Sequence, residues 1–268
     1  MVGAVLGDII GSRHEFHNFK AKQFELFTPE CTFTDDTVMT LAVAAALMEC
    51  DGRYEDLSDK TIRKMQEIGR KYPNCGFGGL FYHWIFSDNP KPYHSFGNGA
   101  AMRVSPVGFI SGSVEEAKDL SYRVTAVSHD HPEGLKGAEA AAVAIVMARQ
   151  GRSKEEIKAV MEKDYYVSPH NVAEYRDLIR GHGDETCQVA MPEALQCFYE
   201  GTSYEDVIRN CISIGGDSDT LAAIAGGIAE AYFGVPEALL RKAADYLDEE
   251  LMSIFVSFLP KGSRVLWE

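Results

Sequence analysis

The stretch TDDTVMTLAVAAALME at residues 34–49 places two aspartates between two threonines, directly before a long apolar run. The run at 38–49 consists mainly of alanine, leucine, valine and methionine. Alanine, leucine and methionine are strong helix formers, and a helix that is apolar on all sides belongs in a protein core. The stretch therefore predicts a buried helix with a cluster of carboxylates at its N-terminus.

The rest of the chain repeats the helical period, and no segment shows the period-2 alternation of a convincing strand. No linker, low-complexity tract or internal repeat divides residues 1–268, so we predict one all-α domain. Beyond 38–49, helices are predicted at 58–72, 77–86, 114–127, 132–149, 155–163, 188–199, 203–214, 221–233, 236–247 and 249–258. The longer irregular stretches, where functional residues tend to lie, are predicted at 12–33, 87–100, 128–131 and 165–186.

Composition restricts the partners and the compartment. With 26 Lys and Arg against 40 Asp and Glu, the net charge is −14 and no basic run occurs, so we expect neither nucleic acid nor an anionic membrane as a partner. No apolar run approaches the roughly 18 residues of a membrane span, and the N-terminal segment lacks the basic start of a signal peptide. None of the six cysteines forms a C-x-x-C pair. We therefore expect a cytoplasmic protein with reduced cysteines, and a monomer, since nothing in the sequence indicates an obligate assembly.

A second acidic cluster, Asp217-Ser218-Asp219-Thr220, follows two glycines and also leads into an apolar helical stretch. Carboxylates this close repel each other unless a positive charge lies between them. Oxygen-only donor sets suit hard divalent cations such as Mg²⁺, Mn²⁺ or Ca²⁺ rather than Zn²⁺. Helix capping accounts for one or two residues of each cluster, but not for two similar clusters in one chain. Together the clusters predict a split, all-oxygen site for two metal ions.

Further motifs carry weaker signals. The glycine-rich segment 95–103, SFGNGAAMR, could cradle a phosphate with its backbone N–H groups while Phe96 stacks on a base or ribose, although Asn-Gly is also an ordinary turn. Residues 128–133, SHDHPE, are interpreted as a capping loop with one functional histidine, with zinc binding as the alternative. The glycines near the N-terminus and Gly226-Gly227 are interpreted as small residues that let helices approach closely. The absence of G-K-[ST] and G-x-S-x-G motifs disfavours a Walker-type ATPase and covalent serine catalysis.

Taken together, these pieces resemble the ADP-ribosylglycohydrolase family, which includes dinitrogenase reductase-activating glycohydrolase. They occur in the family's order and span nearly the whole chain, and the two acidic clusters are the most specific of them. The matching pieces are Gly7-Asp8-x-x-Gly11-Ser12 with Glu15, Thr34-Asp35-Asp36-Thr37, Gly97-Asn98-Gly99-Ala100-Ala101-Met102-Arg103, Ser128-His129-x-His131-Pro132 and Gly215-Gly216-Asp217-Ser218-Asp219-Thr220.

The resemblance implies an all-α, orthogonal multi-helix domain over residues 1–268, with a binuclear centre of Mg²⁺ or Mn²⁺ at the mouth of an ADP-ribose cleft. By the same resemblance, the metal ligands would be Thr34, Asp35, Asp36, Asp217, Asp219 and Thr220. The residues that would bind substrate are Ser95, Phe96, Gly97, Asn98, Gly99, Ala100 and either His129 or His131. Glu15 would occupy a mobile flap over the metal ions, and Asp35 or Asp36 would act as the general base.

The implied activity is hydrolysis of the glycosidic bond between ADP-ribose and an acceptor, with free ADP-ribose as product. The substrate would be an ADP-ribosylated protein or another ADP-ribosylated group. Two alternatives stay open at this point: a metal-dependent nucleotide phosphohydrolase and a catalytically silent ADP-ribose binder. Several acceptors are compatible with the sequence, namely arginine, serine, a nucleic-acid end, poly-ADP-ribose or a small molecule. Arg180, His182 and Asp184 are interpreted as surface residues of the loop at 165–186.

Overall fold

Helices joined by loops make up the computed structural model, which describes residues 1–178 and 185–259. No strand occurs in these two ranges, where the β-type pairing is an isolated bridge between Gly97 and Thr186. The all-α prediction is confirmed. The helices, α1 to α15 in chain order, are Val2–Gly11, Asp35–Cys50, Leu57–Gly69, Gly79–Phe86, Gly99–Met102, Ser105–Ile110, Val114–Thr125, Pro132–Arg149, Lys154–Asp164, Val172–Asp177, Cys187–Glu200, Tyr204–Ile214, Ser218–Phe233, Glu237–Lys242 and Glu249–Phe258. Two short 3₁₀ helices cover Ser12–His14 and Ala243–Asp245.

The centre of the molecule is built from alanine-rich helices. In α2, every residue from Asp36 to Ala44 is buried, as the apolar run in the sequence predicts. Helix α8 starts with Pro132 at a position where a missing N–H costs nothing, and its face from Ala138 to Ala148 is almost fully buried. Helix α13 packs against α1, α8, α11 and α12. In the described residues, none of the helices combines the length and apolar character that crossing a bilayer requires.

Helices α1 and α13 approach each other at backbone distance. A Cβ atom placed on Gly7 would lie 2.1 Å from the carbonyl oxygen of Ala222, and one on Gly3 would lie 2.2 Å from that of Gly226. At the end of the same row, a Cβ atom on Gly11 would lie 2.4 Å from the Cα atom of Asp219. The interpretation of these glycines as helix-packing residues is confirmed. Their spacing of four residues keeps one face of α1 free of side chains, so that α1 lies directly against the start of α13.

Four helices lie outside the predicted segments. Helices α1, α5 and α6 gave no clear helical period, since α1 is apolar on all sides and α5 and α6 have only 4 and 6 residues. Helix α10 corrects the prediction that 165–186 is irregular: Asn171 and Glu174 form a reciprocal capping box at its start. The helix predicted at 236–247 ends at Lys242 and continues as a 3₁₀ turn. Arg180, His182 and Asp184 lie outside the described residues.

Candidate metal centre and ligand cleft

The two acidic clusters meet at the N-termini of α2 and α13. The hydroxyl group of Thr220 donates a hydrogen bond to Asp36 Oδ2 at 3.0 Å, which joins residues 184 positions apart in the chain. The turn before α13 contains Gly215 and Gly216 with φ angles of 69° and 78°, a backbone region that favours glycine. This turn directs Asp217 and Asp219 toward the first turn of α2. The structure therefore brings together the two clusters that the sequence presents far apart.

Asp8 is a fully buried member of this centre that the sequence reasoning did not assign. Its carboxylate accepts hydrogen bonds from the backbone N–H groups of Thr34 and Thr37, both at 3.0 Å, and from the Thr34 hydroxyl at 2.8 Å. It thus caps α2 from a neighbouring helix and fixes the position of the first cluster. The available signal was its place in the sequence, because Asp8 is the one charged residue in the apolar segment MVGAVLGDII. A carboxylate in such a segment is buried at a cost that needs a partner.

Thr34 and Thr220 both donate their hydroxyl protons to carboxylates of the centre. Thr34 donates its hydroxyl proton to Asp8, and Thr220 donates its own to Asp36. A hydroxyl whose proton is already donated to a carboxylate offers only acceptor lone pairs to a further partner. Such an oxygen is suited to a cation and unsuited to another acceptor.

Two groups of carboxylates are close enough to hold a metal ion. Asp8, Asp36 and Asp219 present oxygen atoms that all lie within 4.8 Å of one another, and so do Glu15, Asp217 and Asp219. Asp219 belongs to both groups. Asp36 Oδ1 and Asp219 Oδ1 are buried and have no hydrogen-bond partner in the described part of the chain. An unpartnered buried carboxylate oxygen is costly, and two neighbouring ones fit a divalent cation between them. This set of oxygen donors thus suits a hard cation. The binding of metal ions here stays a prediction.

Burial and mutual repulsion hold these carboxylic acids in a proton-rich state without a cation. Burial raises the pKa of Asp8 to about 6, and the same cause together with Asp217 and Asp8 raises the pKa of Glu15 to about 7. Burial and then Asp8 and Asp217 raise the pKa of Asp35 to about 8. The pKa values of Asp36 and Asp219 lie well above the ordinary range for the same reasons. A divalent cation would take the place of these protons.

These shifts predict how the stability of metal-stripped protein depends on pH. A carboxyl group whose pKa is raised by folding binds its proton more tightly in the folded state, so stability falls as pH rises from the unfolded value near 4 toward the folded value. In the presence of a chelator, we expect the melting temperature to fall as the pH rises from about 5 to about 8. The decline in the upper part of this pH range is due to Asp35 and Glu15. Saturating Mg²⁺ should remove most of this decline. Differential scanning calorimetry measures both curves.

Two variants make this pH prediction specific. Asp35→Asn removes the carboxyl group with the pKa of about 8 and should flatten the upper part of the curve. Asp59→Asn changes an exposed aspartate in the first turn of α3 and should leave the slope unchanged. A melting temperature that stays constant or rises with pH in the chelated protein would contradict the assignment.

The centre forms one end of a cleft of about 480 Å³, a size typical of small-ligand sites. Eleven of the residues assigned from the sequence line it: Glu15, Asp35, Asp36, Ser95, Gly97, Asn98, Gly99, His129, Asp217, Asp219 and Thr220. Four others do not. Thr34 lines an adjoining groove instead, Ala100 is fully buried, and Phe96 and His131 lie outside the cleft lining.

The glycine-rich loop also lines the cleft and is bonded to the acidic clusters. Asn98 donates its side-chain amide to Asp217 Oδ2 at 2.6 Å and its backbone N–H to the Glu185 carbonyl at 2.8 Å. Asp217 is the N-cap residue of α13 but makes no side-chain capping bond there. Its carboxylate therefore faces the cleft rather than its own helix. Glycine at position 99 leaves room for His129, whose Nε2 atom would lie 3.3 Å from a Cβ atom there.

The two histidines of the 128–133 segment have different environments. His131 accepts a hydrogen bond from the Glu133 backbone at 3.1 Å and caps α8, which confirms the capping-loop interpretation. Its ring packs against Phe96, with 5.1 Å between the ring centroids. His129 is 4% exposed and lines the cleft. In the described residues, the groups that could hold a metal contain only carboxylates.

Further cleft residues were missed from the sequence. The cleft wall also includes Phe81, Tyr93, Arg103 and Glu185. The two aromatic residues gave no sign of a functional site in the sequence, because aromatic residues at these positions are equally typical of an ordinary helix or loop. Arg103 did carry one: an arginine between Met102 and Val104, in an otherwise apolar run, indicates a buried cation with a specific partner.

Comparisons with known proteins agree with this geometry. The profile of the ADP-ribosylglycohydrolase family matches residues 1–262. The chain is 26% identical to ADP-ribosylhydrolase ARH3 of Homo sapiens, over 94% of this chain and 90% of that protein. It is 25% identical to ADP-ribosylarginine hydrolase Tri1 of Pseudomonas putida, over 88% of this chain and 70% of that protein. A solved structure described as an ADP-ribosylglycohydrolase-related protein complex has the same fold, with a TM-score of 0.69 at 22% identity over 96% of this chain and 95% of that chain.

Proposed function

The chain belongs to the ADP-ribosylglycohydrolase family, and on that premise we propose that it is a metal-dependent hydrolase of the glycosidic bond between ADP-ribose and an acceptor. The observation that carries the proposal is the meeting of the two acidic clusters in one cleft that residues of the glycine-rich loop also line. The relatives support hydrolysis of ADP-ribosyl groups in general, since ARH3 and Tri1 are both named as such hydrolases.

The carboxylates and threonines of the two clusters would hold the metal ions. Asp8, Asp36 and Asp219 form one donor group, and Glu15 and Asp217 form the other together with Asp219. Thr34 Oγ1 and Thr220 Oγ1, whose protons are donated to Asp8 and Asp36, would complete the set. When bound, two Mg²⁺ or Mn²⁺ ions would supply positive charge that orients the ribose hydroxyls and polarises a water molecule.

The glycine-rich loop would bind the diphosphate. Ser95, Gly97, Asn98 and Gly99 line the cleft, and the Ser95 hydroxyl there accepts the Gly97 backbone N–H at 3.2 Å. Donors of this kind bind phosphate oxygens through geometry rather than through a full positive charge. Phe96, which is 44% exposed, offers a ring face beyond the cleft for a base or ribose.

Asp35 is the better placed of the two candidate bases. Asp36 Oδ2 accepts the hydroxyl proton of Thr220, which commits this carboxylate to joining the two clusters. Asp35 lines the cleft, and its Oδ1 atom approaches Gly76, where a Cβ atom would lie 2.9 Å away. In the proposed reaction, Asp35 takes a proton from water, the water oxygen bonds to the anomeric carbon, and the bond to the acceptor breaks through an oxocarbenium-like state. Asp35 then passes that proton to the acceptor, which leaves neutralised as ADP-ribose is released.

A substrate panel tests the proposed function. We expect release of free ADP-ribose from at least one member of a set that carries ADP-ribose on arginine, on serine, on a nucleic-acid end or as a polymer. The reaction should require Mg²⁺ or Mn²⁺, stop with a chelator, and be absent in the Asp35→Asn variant. Liquid chromatography with mass spectrometry identifies the product. Release of phosphate would instead indicate a phosphohydrolase, and binding of ADP-ribose with no product from any substrate would indicate a silent binder.

A further inference from the structure

A buried arginine lies in the cleft wall without a carboxylate partner in the described residues. The guanidinium group of Arg103 is fully buried, and in residues 1–178 and 185–259 its Nε and Nη1 atoms have no hydrogen-bond partner. Its Cζ atom lies 5.4 Å from the centre of the Phe81 ring, which stabilises the cation only partly. Burial lowers the pKa of Arg103 to about 10, which still leaves it charged at neutral pH. Burying a cation without a carboxylate partner is costly. The presence of Arg103 in the cleft wall therefore indicates that it has a function there.

The one short contact of Arg103 leads to the cleft histidine. Nη2 donates a hydrogen bond to Ser128 Oγ at 2.8 Å, and Ser128 Oγ lies 2.9 Å from His129 Nδ1. Nη2 itself lies 3.5 Å from the same Nδ1 atom. An arginine side chain has donors only, so Ser128 must accept from it and can give its single proton to His129. With both Ser128 Oγ and the Nη2 donor beside it, His129 Nδ1 is placed to accept and is therefore inferred to be the unprotonated ring nitrogen.

The opposite nitrogen of the ring faces the proposed ligand. Nε2 is the atom nearest to the open side of Gly99, and it lies 3.8 Å from the position of a Cβ atom on Gly97. An Nδ1–H form would direct its proton toward the guanidinium protons, which is repulsive. Burial, with the Arg103 charge as the second cause, also keeps the pKa of His129 well below its ordinary value, so the ring is neutral. A neutral ring with an unprotonated Nδ1 carries its proton on Nε2.

We propose that Arg103, acting through Ser128, is a positioning residue that fixes His129 as the neutral Nε2–H tautomer, so that His129 serves as a permanent hydrogen-bond donor to an oxygen of the ligand and takes no part in proton transfer. The assignment of that oxygen to ADP-ribose rests on the proposed function. The tautomer itself is a property of the free protein.

Nuclear magnetic resonance of ¹⁵N-histidine-labelled protein tests the tautomer directly. The His129 ring, assigned by its loss in His129→Gln, should show the Nε2–H pattern of two-bond ¹H–¹⁵N correlations without change from pH 5 to pH 8. Arg103→Met should give a mixture of tautomers and a ring that titrates within this range. Arg103→Lys, which keeps a donating cation, should restore the wild-type pattern. Arg149→Met, the same change at an exposed arginine that is bonded only to backbone carbonyls in the described residues, should have no effect.

Affinity for ADP-ribose provides the second readout. Isothermal titration calorimetry should show binding roughly 10-fold weaker for Arg103→Met, the loss expected when one donor is no longer held in place. His129→Gln, whose amide nitrogen lies where Nε2 does, should bind more tightly than His129→Asn, whose amide reaches only the Nδ1 position. This pair keeps the test decisive if Arg103→Met does not fold.

An Nδ1–H pattern in the free wild-type protein, or a ring that titrates between pH 5 and pH 8, would overturn the inference. Equal affinities of the Gln and Asn variants would also count against it. If the wild-type protein shows the Nε2–H pattern but neither binds ADP-ribose nor cleaves any member of the panel, the positioning role stands and the proposed function fails.

Discussion

Asp219→Asn is expected to lower hydrolysis by on the order of 10³-fold at saturating substrate, the scale at which enzymes lose a central electrostatic contact. Asp219 is the one residue common to both carboxylate groups of the described chain, so its loss affects both proposed metal positions. An amide oxygen still occupies one position but carries no charge, and an amide nitrogen repels a cation. Release of ADP-ribose from the best member of the substrate panel measures the effect.

Metal affinity separates this explanation from a general loss of structure. Calorimetric titration of Mg²⁺ into Asp219→Asn should show both binding steps weakened, whereas Asp217→Asn should weaken the step that involves Glu15 and Asp217 more strongly. Asp59→Asn, in the first turn of α3, provides the matched change at an exposed helix start. The chelated Asp219→Asn protein should also be no less stable than the chelated wild type, because a buried carboxyl group with a raised pKa has been removed. Full turnover with saturating Mg²⁺ would contradict a shared ligand.

The parts of the site that could be predicted were those with a strong local pattern. The TDDT and DSDT clusters stand out because each concentrates carboxylates at the start of an apolar helix, and capping alone does not require that. Asp8 could not be assigned the same way, since its role depends on α1 lying beside α2 and α13, which no local pattern encodes. Phe96 and His131 show the converse problem. They are sequence neighbours of cleft residues, yet the cap that starts α8 directs His131 elsewhere and Phe96 packs against it.

The same division holds for the fold. Long helices with a clear start were predictable, as with α8 at Pro132 and α9, where Ser153 and Glu156 form the predicted capping box. Helix α10 carries an equally good box but is only 6 residues long, too short for a period to appear. Helix α1 has no polar face because it is enclosed by other helices, so its pattern resembles that of any apolar segment. Its glycines predicted close packing, but only the structure shows that α13 is the partner.

Gly7→Ala is expected to reduce the free energy of unfolding by about 3 kcal/mol, at the upper end of the range for overpacked cores. The new Cβ atom would lie 2.1 Å from the carbonyl oxygen and 2.4 Å from the carbonyl carbon of Ala222. These are backbone atoms, so no side chain can rotate away and α1 has to move from α13. The gain of ~1 kcal/mol that alanine has over glycine inside a helix offsets only part of this cost. Urea denaturation followed by circular dichroism measures the difference.

Two companion variants connect this packing to the proposed metal centre. Gly79→Ala, at the start of α4 with nothing within 4 Å of the new atom, should be neutral or slightly stabilising. Gly11→Ala places its Cβ atom 2.4 Å from the Cα atom and 2.7 Å from the nitrogen of Asp219, at the far end of the same glycine row. It should therefore lose the rise in melting temperature that Mg²⁺ gives to wild type, whereas Gly7→Ala, once folded, should keep most of it. If Gly7→Ala were as stable as Gly79→Ala, the result would contradict the close backbone contact between α1 and α13. If Gly11→Ala kept the full rise in melting temperature with Mg²⁺, the glycine row would serve helix packing alone and would not influence the position of Asp219.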